Sequence, residues 1–132
     1  MPLMKTTAEV QAVKDETTEH LICTVWRPVL TQVVSAFRHG DFGLRVGVPG
    51  VERPSMETAE HIRDAIAAYG ATLTELPEES WESSVCMWQL THWDALIDLW
   101  TEEEGRSDLV LSVRIDEEPE GYSFKIHMVY VP

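Results

Sequence analysis

The chain is short of positive charge, short of cysteine and without any long apolar run, and each shortage closes off a class of function. Only 10 residues are Lys or Arg against 23 Asp or Glu, giving a formal net charge of −13 over 132 residues. Phosphate contacts need clustered cations, so this balance argues against a nucleic-acid binder. Cys23 and Cys86 have no second cysteine at metal-site spacing, which argues against a structural zinc and leaves two buried thiols as the expectation. No apolar stretch approaches membrane-spanning length. The first seven residues, Met-Pro-Leu-Met-Lys-Thr-Thr, lack the apolar centre of a signal peptide, so the expected location is cytoplasmic, with no membrane partner.

Reaction motifs are missing too. There is no G-x-S-x-G elbow, no phosphate loop of the G-x-x-x-x-G-K-[ST] type, and His20, His39, His61, His92 and His127 are scattered without H-x-x-x-H or H-x-H spacing. No catalytic residue, cofactor or metal ligand is assigned on this basis, and a non-enzymatic role is favoured.

What is present is a globular pattern. Hydrophobic content of 44% and five tryptophans exclude a disordered chain, and the length suits a single domain over residues 1–132. Three segments alternate apolar and polar residues: Trp93 to Thr101, Asp108 to Ile115, and Tyr122 to Val131, the last with Tyr122, Phe124, Ile126, Met128 and Tyr130 as its apolar set. Pairing Thr101 with Ser107 places Leu99 opposite Leu109, Ile97 opposite Leu111 and Ala95 opposite Val113, so one register satisfies all three pairs. It also sets Asp94 opposite Arg114, where a cross-strand ion pair is expected. Ser84 to Leu90 is a further strand, with Cys86, Trp88 and Leu90 sharing one face.

Ahead of these, apolar residues from Val10 to Phe37 fall at helical spacing, with Pro28 predicting a kink or the first turn of a second helix. Arg38, His39, Gly40 and Phe42 mark its end. Residues 43 to 54 read as a loop or short irregular strand. Ser55 caps a second helix whose face is Ala59, Ile62, Ala65, Ile66 and Tyr69, ended by Gly70. The fold class is therefore α+β: two or three N-terminal helices packed on one face of a C-terminal antiparallel meander of about four strands. Leu96, Trp100 and Val110 lie on the other face, where a second copy, a partner, a curved sheet forming a cavity or the Gly43 to Pro54 segment is expected to cover them.

Two groups of residues are candidates for function. Acidic hairpin tips, Glu102, Glu103 and Glu104 with Asp116, Glu117 and Glu118, offer a surface to a basic partner, although turn chemistry alone accounts for the first three. Trp88, His92, Trp93 and Trp100 could line an aromatic pocket, with core packing as the plainer role for the tryptophans.

The run Leu99-Trp-Thr-Glu-Glu-Glu-Gly-Arg-Ser-Asp-Leu, with Trp26-Arg-Pro-Val and Gly40-Asp-Phe upstream, resembles small bacterial proteins that share an LW-T-x-E-E-G-R-S-D-L hairpin. That resemblance carries no activity with it. A helix ending in Gly-Asp, a further helix and a curved terminal meander is similar to the cystatin-like and NTF2-like folds, which implies a cone-shaped sheet able to hold a ligand or a catalytic Asp/His pair. Two functions follow as expectations. One is an acidic interaction protein that neutralises a basic partner in the manner of an immunity protein, and the alternative is an NTF2-like ligand-binding or enzymatic domain.

Overall fold

The computed structural model describes residues 9–132; the reading of the first seven residues lies outside them. Six strands form one sheet in the order β1 (His20–Leu21), β3 (Val85–Trp88), β4 (Trp93–Thr101), β5 (Gly105–Glu118), β6 (Gly121–Tyr130) and β2 (Val51–Glu52). The antiparallel meander β3 to β6 is the centre of the sheet, and two-residue strands blunt both edges. Only β2 runs parallel to its neighbour, β6. The sheet thus has six strands rather than four, the edge strands being too short to leave any alternation in the sequence.

Two α-helices accompany the sheet, α1 (Arg27–Arg38) and α2 (Met56–Tyr69). The long helix expected from Val10 is not formed ahead of the 3-10 turn Thr24–Trp26. The reason is local. Asp15 accepts hydrogen bonds from the Thr17 amide (2.9 Å) and hydroxyl (2.6 Å), a turn that competes with helical backbone bonding. Residues 10–13 lie outside any helix and are tied down elsewhere: Thr24 N–H donates to the Val10 carbonyl at 3.0 Å, and the Trp93 indole donates to the Val13 carbonyl at 2.9 Å. Pro28 sits in the first turn of α1, where a missing N–H costs nothing.

The helix ends follow their sequence signals. At the end of α1, Gly40 takes φ +83°, its N–H reaches the Phe37 carbonyl (3.0 Å), and the Asp41 N–H reaches the Ala36 carbonyl (2.9 Å). Those two bonds are the paired closure of a left-handed helix cap, and Phe42 folds back onto Phe37 with ring centroids 6.0 Å apart. Ser55 accepts from the Thr58 amide at 3.1 Å to start α2, which ends at Gly70.

Leu30, Val33, Val34 and Phe37 of α1 and Ile62 of α2 join the inward residues Ala95, Ile97, Leu99, Leu109, Leu111, Val113 and Ile115 in one buried core. Trp26, Trp88, Trp93 and Tyr122 cluster within it, Trp88 and Trp93 at 4.6 Å and Trp26 and Tyr122 edge to face at 5.4 Å. Both cysteines are buried, Cys23 beside the 3-10 turn rather than on a helix, and burial pushes the Cys86 thiol up to about 11.

Two irregularities revise the expected strand patterns. The β4–β5 register holds from Trp93 through Asp98, then shifts so that Thr101 pairs with Gly105 instead of Ser107. A second shift, between Ser112 and Val113, leaves His127 unpaired in β6. One extra residue inverts the alternation. Val129 therefore enters the core opposite Leu111, while Met128 and Tyr130, expected inside, take the outward side opposite Ser112 and Val110.

Candidate functional site

The outward residues of β3 to β6 stand in rows that cross the sheet. One row runs Met87, Asp94, Arg114, Lys125, each the register partner of the next. Beside it, roughly 7 Å along the strands, runs Val85, Leu96, Ser112, Met128. A charged band thus lies against a largely apolar one. Together with Gln89, His92, Asp116, His127 and Tyr130, all of these residues except Met128 border an open cleft of about 990 Å³, at the upper end of the size range of small-molecule sites.

The charged band is held in place by its own bonds. Arg114 grips Asp116 two residues on through Nε to Oδ2 (3.0 Å) and Nη2 to Oδ1 (3.1 Å), leaving Nη1 free of that fork. Asp94 is the register partner of Arg114, but its short side-chain contact is with His92, Nε2 to Oδ1 at 3.3 Å, in place of the expected cross-strand ion pair. Thr91 Oγ lies 2.8 Å from His92 Nδ1. The imidazole thus lies between the Thr91 hydroxyl and the Asp94 carboxylate. The Arg114 fork holds the Asp116 carboxyl below its ordinary value. Lys125 makes only a long contact, 3.9 Å to Glu52. Arg114 and Lys125, like charges directly opposite across β5 and β6, face the cleft together.

The residues singled out in the sequence are distributed differently. Trp88 and Trp93 touch each other on the helix side of the sheet. Trp100 lies at the far end of β4, its ring 3.5 Å from where a side chain on Gly105 would begin. The structure does not bring these three around one cavity; of the four aromatic-pocket candidates, His92 alone lines the cleft. Among the acidic tips, Glu103 accepts from the Thr72 amide (2.8 Å) and hydroxyl (3.1 Å), and Glu104 accepts from the Tyr69 hydroxyl at 2.5 Å. The Thr72 amide holds the Glu103 carboxyl below its usual range. Glu117 pairs with Lys14 at 2.9 Å, Glu118 accepts from Ser123 at 2.8 Å, and Glu102 is exposed. Five of the six acids are therefore engaged within the chain. Arg114, Lys125 and Tyr130 were not legible as a group, although the tight turn at Pro119 and Glu120 sets Arg114 opposite Lys125.

Among the described residues no group of three or more His, Cys, Asp or Glu side chains is placed to hold a metal ion, and no helix is long and apolar enough to cross a membrane. Residues 34–132 match a family model described as a domain of unknown function (DUF7668). No curated protein and no solved structure matches the chain.

Proposed function

We propose a ligand-binding role for this chain, which belongs to the DUF7668 domain family, with the open sheet face as the binding site for a small molecule. The observation that carries the reading is the cleft of about 990 Å³, whose floor sets an ordered charged row beside an apolar one. Polar groups already fixed by neighbouring bonds cost little to orient when a ligand arrives. This is the ligand-holding alternative implied by the NTF2-like resemblance, with the aromatic trio replaced by His92, Asp94, Arg114 and Lys125. The setting proposed is cytoplasmic.

An amide-resolved NMR screen with a mixed library of small polar and amphipathic compounds tests it. Hits should move the Asp94, Leu96, Ser112, Arg114 and Lys125 amides together. Binders that shift only the helices, or a library without any cleft response, would remove the reading.

Capture of a basic protein remains the second proposal, and the net charge of −13 favours it. Most candidate acids at the hairpin tips are committed to internal bonds, so this rests on the overall field more than on a formed knob. Its affinity should fall steeply between 0.05 and 0.5 M salt, roughly the span over which the Debye length shrinks from beyond 10 Å toward 3 Å. A salt-insensitive complex would oppose it.

A further inference from the structure

We infer that the cleft is built for an amphipathic zwitterion, of the class of an apolar α-amino acid, with its ammonium at Asp94, its carboxylate at Arg114 and Lys125, and its apolar part over Val85 and Leu96. The inference rests on the ligand-binding reading and adds the chemistry of the ligand. Three observations lead to it.

The signs along the row are ordered. Asp94, Arg114 and Lys125 are consecutive register partners on β4, β5 and β6, and adjacent strands lie about 4.8 Å apart. An acid therefore stands beside two bases at a spacing that matches a small molecule carrying both charges. His92 occupies one oxygen of Asp94 at 3.3 Å and leaves the other open. The Arg114 fork uses Nε and Nη2, so Nη1 remains to donate.

The charges also nearly balance. Asp94, Asp116 and Glu19 border the cleft with Arg114 and Lys125, and both His92 and His127 reach it. A dianion would meet two carboxylates at close range, and any free anion must approach through the field of a −13 molecule. A plain cation would face the Arg114–Lys125 side. A zwitterion meets neither penalty.

The neighbouring row fixes where the rest of the molecule goes. Val85 and Leu96 are register partners one step from Met87 and Asp94, and all four are cleft residues. A side chain branching from the charged centre would lie on that apolar strip, whereas a purely polar zwitterion would leave it wet.

Three matched probes, L-leucine, 4-methylpentanoate and 3-methylbutylamine, separate the possibilities by calorimetry and amide shifts on the whole chain. Leucine should bind at the cleft at least about tenfold more tightly than either analogue, the scale of one lost charged hydrogen bond. D94N should abolish the preference for leucine over the carboxylate, and K125M, which leaves Arg114 in place, should at least halve the preference over the amine. If all three bind the cleft equally, or the carboxylate or the amine alone binds best, the zwitterion inference falls while a ligand cleft stands. If no probe moves a cleft amide, the zwitterion inference falls, and the mixed-library screen separately decides whether a ligand cleft survives. Circular dichroism and melting of each variant guard against misfolding, and Q32A, on the exposed side of α1 away from the cleft and neutral in charge, supplies a second variant whose leucine preference should persist.

Discussion

Two tryptophans in one cluster differ by a single hydrogen bond, and that difference has a measurable consequence. Trp93 is buried and its indole N–H reaches the Val13 carbonyl at 2.9 Å, whereas the equally buried Trp26 indole has no partner among the described residues. Replacement by Phe removes comparable apolar surface at both sites. At Trp93 it also strands a carbonyl, while at Trp26 it removes a donor that was costly to bury. W93F should therefore be less stable than W26F by about 1 kcal/mol in denaturant titration, and equal losses would mean that the Val13 contact contributes nothing. Asp15 gives a second test at this scale. Bonds from the Thr17 hydroxyl, then His20 and the Thr17 amide, lower its carboxyl to about 2 from an ordinary 3.8. Because the folded value lies below the unfolded one, the stabilisation is present above about pH 4 and is lost as pH falls toward 2. The stability gap between the parent chain and D15N should close as pH falls between roughly 4 and 2; a gap unchanged over that range would remove Asp15 as the acid-sensitive brace.

The β4–β5 hairpin shows what an element owes to its turn. Three residues, Glu102 to Glu104, join Thr101 to Gly105, and Gly105 holds φ +75° against the Trp100 ring. An added methyl there would meet the indole at an ordinary contact distance of 3.5 Å but force a side chain into the left-handed backbone region, so G105A should cost about 1–2 kcal/mol in chemical denaturation. A neutral effect would mean that the tip can re-form as a longer loop. The Glu103 bonds to Thr72 fasten this tip to the segment after α2. E103A should accordingly speed exchange of the Thr72 amide while leaving that of Leu111 in the sheet centre unchanged; an unchanged Thr72 rate would contradict that role. Much of this element was readable. Alternation in Ala95, Ile97 and Leu99 against Leu109, Leu111 and Val113 fixed the faces, and the register it implied holds for Asp94 opposite Arg114. Two things escaped it. The shift before Trp100 displaces the pairing by two residues and so leaves the faces unchanged, while the single extra residue at His127 inverts them, and a period-two pattern carries no mark of either until the partner strand is in place. The missing first half of the helix escaped because the Val10 to Phe37 stripe fits helical spacing, while the competing turn depends on Asp15 meeting Thr17.

At the scale of the whole molecule the cleft and the surface charge belong to one arrangement. The cleft could not be assembled from sequence alone, since Asp94, Arg114 and Lys125 come from β4, β5 and β6 and converge, with His92 just ahead of β4, only through the register. The acidic excess was plain from the start, and it acts on the folded state as well as on partners. Described ion pairs engage Lys14, Arg38, Arg63, Arg114 and Lys125, every one with at least part of its side chain exposed. Exposed pairs of this kind contribute about 0–1 kcal/mol each and weaken in salt. The remaining acids repel one another, and that repulsion reaches across the molecule at 0.01 M salt, where the Debye length is about 30 Å, but is confined to near neighbours at 0.15 M, where it is about 8 Å. With 23 acids against 10 bases, relief of repulsion outweighs the loss of a few surface pairs. The melting temperature should therefore rise as sodium chloride goes from about 0.01 to 0.15 M and level off beyond the point where the Debye length falls below the spacing of surface charges. Potassium glutamate at equal ionic strength should follow the same early rise, because screening depends on ionic strength rather than on the identity of the salt. A fall over this range would place the surface pairs above the net field as the governing electrostatic contribution, and would leave the −13 charge as a weak argument for attracting any basic partner.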